Sequence, residues 1–533
     1  MRNSKKSSSG NPSANSSAQP AAPAVYGKSP HKKWWRLGAL VLLAGIVIGK
    51  VIANNLSGSD YTVEPIGAAS LADKGPSIYK AIDDRFSTGD RAIIQAEADY
   101  IPCADDKKAQ LNSAKNNGIR AIRQQQYKEA AQFFGEAWSV CPAPEVLIYR
   151  NNAAIGNSAA HTLAVIVPID FNPKNAIEML RGAAQAQTEI NQRGGVNGVP
   201  IKLMVIDDSD SPEVAKDIAT TLIDSYPEIL AVVGHWTSGV SLEAAAVYDT
   251  RRELVFMTPV STTRELRGAT GWVFRATINM RDAQKVLANY AFSQANYKKV
   301  ATFSLDSRKV GRARALYSEG LQDEFVKSFE AEGGEVTNNF NLASVDFDKN
   351  LEATAKKMVR QAKKEGADAV MLIPDNSLVV NAEAIIKEAD KQKLGLLGVT
   401  NLYREEVLQE TCPAVEGMTM TIAWIADGSA NPEFVKSSSS SEFWKGEVNF
   451  ATAMTYNAVQ AMATAMDKNP TRSGIQAALD RPDFAVKNTA DAQPMTFTQR
   501  SRAATAQLVT VKKEEEASGE NQWRCSFTSV KAQ

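Results

Sequence analysis

The chain has 533 residues, enough for two or three domains. Its 60 basic and 60 acidic residues cancel, so composition gives no electrostatic footprint for a nucleic-acid partner. Only three histidines occur, His31, His161 and His235, which argues against a histidine-rich metal site.

Residues 1–33 are Ser, Ala, Pro, Asn and Lys with almost nothing to bury, and predict a disordered tail. Residues 34–53 follow the basic pair Lys32-Lys33. They open on Trp34-Trp35-Arg36, run apolar from Leu37 to Gly49, and resume after Lys50 with Val51-Ile52-Ala53. Basic residues before the run and tryptophans at its edge predict a cytoplasmic N-terminus and a transmembrane signal anchor. The run is short for a full span. The other reading is a signal peptide cleaved after Ala53. No cysteine follows, which argues against a lipoprotein anchor. Both readings put the remaining chain outside the cytoplasm, periplasmic or extracellular. In that compartment Cys103, Cys141, Cys412 and Cys525 read as disulfides before metal ligands. An early and a late pair favour Cys103–Cys141 with Cys412–Cys525 among the three pairings.

Residues 54–106 mix short helical signals with Gly, Ser and Asp and predict a stalk. Over 107–156 the pattern turns helical. Ala114, Gly118, Tyr127, Ala130, Phe134, Ala137 and Pro142 fall at the small, aromatic and proline positions of a tetratricopeptide repeat. One and a half repeats cannot bury a solenoid core alone. A helical hairpin packed on the next domain accounts for the pattern equally well.

From His161 onward apolar strands alternate with helices. Thr162–Pro168, Ile201–Ile206, Ile229–Val233 and Leu254–Met257 read as strands, and Asn175–Arg193 as an amphipathic helix. Ser211-Pro212-Glu213 opens another helix, with Ser as N-cap and Pro in the first turn. A second set comprises Val300–Ser304, Ala369–Ile373 and Leu396–Val399. This order predicts an α/β chain of two lobes, each a mostly parallel sheet flanked by helices.

Val232-Val233-Gly234-His235-Trp236-Thr237-Ser238-Gly239 reads as a buried strand that ends in a polar turn and opens a helix, Val240–Thr250. Such a turn aims backbone N–H groups and hydroxyls at one spot, where small anions bind. The design recurs at Met257-Thr258-Pro259-Val260-Ser261-Thr262. Helix capping competes with ligand contact at both places: Ser238 heads its helix, and Thr262 with Glu265 forms a capping-box pattern. Trp236 either stacks on a ligand or packs at the lobe surface. His235, beside a glycine at a strand end, reads as a core histidine satisfied by backbone. Asp207-Asp208-Ser209-Asp210 lacks the glycine and distant glutamate of a calcium loop and reads as turn and cap. Ser437 to Ser441 reads as a flexible loop. Nucleotide-binding glycine motifs and the G-x-S-x-G elbow are absent, so no catalytic residue, metal site or cofactor is assigned.

Several of these residues together resemble the type I periplasmic binding proteins, whose branched-chain amino-acid receptors serve ABC transporters. The resemblance is carried by Gly182-Ala183-Ala184, Glu189-Ile190-Asn191, Gly194-Gly195-Val196-Asn197-Gly198 and Asp207-Asp208. It continues through Val233-Gly234-His235, Thr258-Pro259, Glu265-Leu266, Phe274-Arg275, Tyr456-Asn457-Ala458-Val459 and Pro494-Met495-Thr496-Phe497. It covers 160–533 and implies two lobes, about 160–277 with 425–491 and 278–416 with 498–533. Three crossover strands are implied near 275–278, 417–424 and 492–497, with a ligand trapped as the lobes close.

The resemblance implies that Ser238 and Thr262 hold a ligand carboxylate and that the Val260 carbonyl meets an ammonium. In the second lobe Asp375 falls near a usually aromatic position, and Val310 replaces another aromatic. The acid that pairs with the ammonium maps near Thr400 and Asn401, which carry no charge. Either Asp375 takes that task or the ligand is not an α-amino acid. Arg308, Lys309 and Arg312 around Val310 leave room for a second anionic group. The implied site comprises Trp236, Thr237, Ser238, Val260, Ser261, Thr262, Val310, Asp375, Thr400 and Asn401. Partners follow: a small amino acid or related carboxylate, and either an ABC permease or a signalling membrane protein, with the N-terminal helix in the membrane.

Overall fold

The structure, a computed structural model, describes residues 81–95, 97–266, 271–426, 430–515 and 523–530. The expected tail (1–33) and signal anchor (34–53) lie outside the described residues. Among those described, no helix is long and apolar enough to cross a membrane.

The first sheet is built from β1 (Phe86–Ser87), β2 (His161–Val167), β3 (Ile201–Asp207), β4 (Ile229–Val233), β5 (Val255–Thr258) and β6 (Val273–Arg275). The second takes β7 (Lys299–Ser304), β8 (Glu335–Asn341), β9 (Ala369–Leu372), β10 (Gly395–Gly398) and β11 (Thr419–Ile422). The chain then returns to the first sheet with β12 (Ala485–Val486), β13 (Met495–Thr498) and β14 (Ser501–Arg502). It ends in the second with β15 (Gln507–Glu515) and β16 (Trp523–Ser529). The orders are β1-β3-β2-β4-β5-β6-β14-β13-β12 and β16-β15-β11-β10-β9-β7-β8. Neighbours from β3 to β14 through β6, and from β8 to β11, run parallel. The added edges are antiparallel, so both sheets are mixed.

The central strands are covered on both faces, which explains why Leu163-Ala164-Val165-Ile166-Val167 is an unbroken apolar run, all of it buried. The strands at and next to the edges lack that signal. β8 reads Glu-Val-Thr-Asn-Asn-Phe-Asn and β15 carries Lys512 and Lys513, so neither stood out in the sequence.

Three helices precede β2: α1 (Asp105–Arg123), α2 (Tyr127–Val140) and α3 (Pro144–Ile155). They share one apolar core with the first sheet. Asn152 fixes α3 there, donating to Leu203 O at 2.8 Å while its own oxygen accepts from Gln187 at 2.8 Å. The stretch expected as a stalk, where described, is part of the lobe. Phe86–Ser87 pairs with β3, and Arg85 is buried against Asp207 at 3.3 Å. A buried charge cluster adds to this: Lys115 meets Glu97 at 2.9 Å and also pairs with Glu145.

Further helices matter for the site: α4 (Pro173–Gln192), α5 (Pro212–Ser225), α6 (Ser238–Arg251), α7 (Met280–Asn289), α8 (Ser307–Val310) and α9 (Arg312–Ala331). Helix α4 packs against the helix Phe450–Ala465 so closely that a Cβ on Gly182 would lie 2.1 Å from Thr452 O. The serine run expected as a loop is largely the helix Pro432–Ser439, capped by Asn431. Its Ser438 is buried and donates to Gln185 at 3.0 Å.

The chain passes between sheets after Arg275, after Ile422 and after Arg502. The third crossing was expected at 492–497, but those residues belong to the first sheet. Gln499 and Arg500 both take positive φ, 50° and 61°, and turn β13 directly into β14. Phe497 is held there by Phe274 and Phe484, each ring 6.0 Å away. Arg502 ties the crossings together, pairing with Asp491 at 2.5 Å and donating to Ala423 O at 3.2 Å. Both expected disulfides are present, Cys103–Cys141 and Cys412–Cys525, with Cα atoms 5.4 and 5.8 Å apart.

Candidate functional site

A cavity of about 380 Å³ lies between the carboxyl ends of the parallel strands of the two sheets. This is where open α/β sheets bind ligands. On the first-lobe side Gly234 lets the chain turn tightly after β4, since a Cβ there would lie 2.7 Å from Ile166 O. Helix α6 then starts. Thr237 takes its N-cap position yet makes no side-chain cap bond; its hydroxyl donates to Asp210 at 2.7 Å instead. The α6 N-terminus, with its partial positive charge, thus opens on the cavity without a side-chain cap.

The neighbouring loop follows β5. Its Ser261 N–H donates to the Thr258 hydroxyl at 3.1 Å, and the Ser261 hydroxyl to that of Ser238 at 3.3 Å. Buried Arg275 braces the loop from behind, donating to the carbonyls of Thr262 (3.3 Å) and Thr263. The Thr262 hydroxyl oxygen is buried at the cavity wall without a partner. The expected capping box is not formed. Thr263, not Thr262, bonds Glu265, and the short helix begins only at Arg264.

Nine of the ten residues singled out in the sequence line the cavity: Trp236, Thr237, Ser238, Val260, Ser261, Thr262, Asp375, Thr400 and Asn401. Val310 does not. It ends the single-turn α8, and Gly311, with φ 83°, redirects the chain into α9. That turn brings Arg314, Tyr317 and Leu321 into the wall instead. The basic residues beside Val310 do not serve the cavity as expected: Arg308 pairs with Asp306 at 2.8 Å, and the lining arginine is Arg314.

Asp375 is committed elsewhere. One oxygen accepts from Arg314 Nε at 2.6 Å; the other takes the N–H groups of Ser377 and Leu378 and the Ser377 hydroxyl. Tyr317 is half-buried with its hydroxyl on Thr400 and the Asn401 backbone, and desolvation pushes its pKa up. Asn401 donates to Pro374 O at 3.0 Å. Trp236 and Phe450 both line the cavity, rings 6.4 Å apart. At the mouth Phe171 is 64% exposed, and Lys174 of α4 pairs with Glu406 from the opposite lobe.

Sequence reasoning missed Asp210, which it read as a turn. The turn is real: Ser209 and Asp210 both have φ 52°. Yet Asp210 lines the cavity, and burial, then the neighbouring Asp208, push its carboxyl up to about 8 against the Thr237 hydrogen bonds. His235 meets a carboxylate rather than backbone, its Nδ1 lying 2.6 Å from Asp208, while its buried Nε2 makes no hydrogen bond among the described residues. No group of three or more His, Cys, Asp or Glu suited to a metal occurs among the described residues.

A periplasmic binding protein family model matches residues 172–516. The chain belongs to the periplasmic binding protein family. An amino acid binding protein of Pseudomonas aeruginosa is 30% identical over 247 residues, 42% of this chain and 60% of that relative, so the chain spans less than two thirds of it. A Leu/Ile/Val-binding protein homolog of Brucella melitensis is 26% identical over 325 residues, 58% of this chain and 80% of the relative. Among solved structures, the isoleucine complex of a branched-chain amino acid transporter substrate binding protein from Streptococcus pneumoniae gives a TM-score of 0.56 at 19% identity. It covers 70% of this chain and 100% of that one, a likeness of fold alone. The family consists of binding proteins rather than enzymes, and membership implies a main domain outside the cytoplasm.

Proposed function

We propose that the chain is a solute-binding protein of an ABC importer that captures a small amino-acid-like or other carboxylate between two closing lobes. One observation carries the reading. The uncapped α6 N-terminus, the Ser238 hydroxyl and the unpartnered Thr262 hydroxyl meet at one cavity wall. Together they supply donors and partial positive charge for a carboxylate. The relatives' names, amino acid binding and Leu/Ile/Val-binding, point the same way. The ligand site we assign is the nine lining residues above, with lobes parted where the sheets divide.

A thermal-unfolding screen of the folded chain tests this, using amino acids, 2-hydroxy acids, dicarboxylates and aromatic carboxylates. At a hundredfold excess over Kd, a ligand adds about 2.7 kcal/mol of stability. A clear rise in Tm with one class is expected; no rise with any of them overturns the reading.

A second reading, a membrane-tethered sensor that passes closure to a signalling partner, is favoured by α1–α3. These helices are keyed into the first lobe, so its motion carries them. The tetratricopeptide-like assignment of 107–156 is supported by Gly118, where a Cβ would lie 2.6 Å from the Phe134 ring. The tether is supported by Lys32-Lys33-Trp34-Trp35 before the apolar run.

A further inference from the structure

Two acidic residues line the cavity, Asp210 and Asp375. Asp375 has both oxygens engaged by Arg314, Ser377 and Leu378. Asp210 is engaged through Oδ1 by the Thr237 hydroxyl. A further acceptor lines the cavity from the second-lobe side, on α7. Gln284 is 2% exposed, and its Oε1 has no partner. Buried acceptors without donors are costly, so the cavity calls for a ligand that brings N–H groups.

We propose that Asp210, on the first lobe, reads the positive group of the ligand, which is therefore a small carboxylate that also carries an ammonium. Its carboxylate lies at the α6 N-terminus with Ser238 and Thr262, and its ammonium turns toward Asp210. The inference rests on the solute-binding reading of this cavity. It places the cation-reading acid on the lobe opposite to Thr400 and Asn401, where the family resemblance would put it.

Protonation follows from the surroundings. On its own turn Asp210 faces Asp208, which His235 holds; Asp207, at the end of β3, is held by Arg85. Ser209 links the turn to Asp170 on the β2–α4 loop, and Thr237 reaches it from α6. Across the cavity stands the Arg314–Asp375 pair. Among the described residues no cation neutralises Asp210 directly, and with a pKa of about 8 its carboxyl is mostly protonated at pH 7. An arriving ammonium lowers that pKa, the carboxyl ionises, and its proton leaves to solvent.

Calorimetry on the full chain tests this with the twenty L-amino acids and their matching 2-hydroxy acids at pH 7, in two buffers of different protonation enthalpy. The expected result is an amino acid bound at least about 100-fold tighter than its hydroxy acid, a preference typical of sites built to bond an N–H group. Binding should release most of one proton. Asp210→Asn should cut the preference below about tenfold and abolish the release, with its unliganded melt as the check on folding. Hydroxy acids binding as tightly as amino acids, no proton release from the unmodified chain, or a preference untouched in Asp210→Asn each overturn the proposal while leaving solute binding intact. Binding by neither series overturns this inference, and solute binding falls with it only if the dicarboxylates and aromatic carboxylates of the thermal screen also fail.

Discussion

Replacing Ser238 by Ala and Thr262 by Val together is expected to weaken ligand binding by about 100-fold or more. A hydrogen bond to a charged group contributes about 1.5–3 kcal/mol, so two amount to at least about 3 kcal/mol. The fold should survive. Ser238 is not the N-cap of α6, and the Thr262 hydroxyl makes no hydrogen bond among the described residues. Each single variant should lose roughly tenfold, and calorimetric titration with a ligand from the thermal screen reads all three. Affinity of the double variant within about threefold of the unmodified chain would show that the carboxylate is held elsewhere.

Replacing Lys115 by Met should cost about 3–5 kcal/mol of stability, because it strips the cation from two buried carboxylates. Burial works against the Lys115 ammonium, but Glu145 and Glu97 outweigh it and hold its pKa above the ordinary lysine value. Burial likewise raises Glu97. The cluster joins separate segments: Glu145 accepts from the N–H groups of Ile93 (2.7 Å) and Ile94 (3.2 Å) and from Tyr149 at 2.8 Å. The shift in denaturant midpoint measures the loss. Adding Glu97→Gln and Glu145→Gln to Lys115→Met should recover much of it, since the uncompensated charges are then gone. A loss below about 1 kcal/mol in Lys115→Met would mean the cluster is not buried as described.

The first-lobe half of the site was readable because its chemistry is local. A strand, a glycine and a run of hydroxyls before a helix specify one turn, and Ser238 and Thr262 sit on two such turns side by side. The second-lobe half depends on contacts that the sequence does not spell out. Arg314 and Tyr317 reach the cavity because Gly311 reorients a helix, and a surface-like charge pattern hides them. Asp210 carried a signal, an acid in a cluster, but the same pattern makes an ordinary turn. Only the cavity on its far side distinguishes the two. The central strands announced themselves as apolar runs, whereas the polar edge strands β8 and β16, and β15 beside β16, did not. The third crossing was misplaced because a two-residue turn of Gln499 and Arg500 lacks the usual glycine or asparagine.

Capture requires that one small ligand draw the two lobes together over this cavity. The direct measurement is the distance between spin labels on the two lobes, at Glu243→Cys in α6 and Lys387→Cys in the helix Val379–Lys391, both exposed. All four native cysteines are disulfide-bonded, so only the introduced thiols take label. A ligand that raises Tm should shorten and narrow the distance distribution, and the Ser238→Ala, Thr262→Val chain should not respond at the same concentration. A distribution unchanged at saturation would contradict capture by lobe closure.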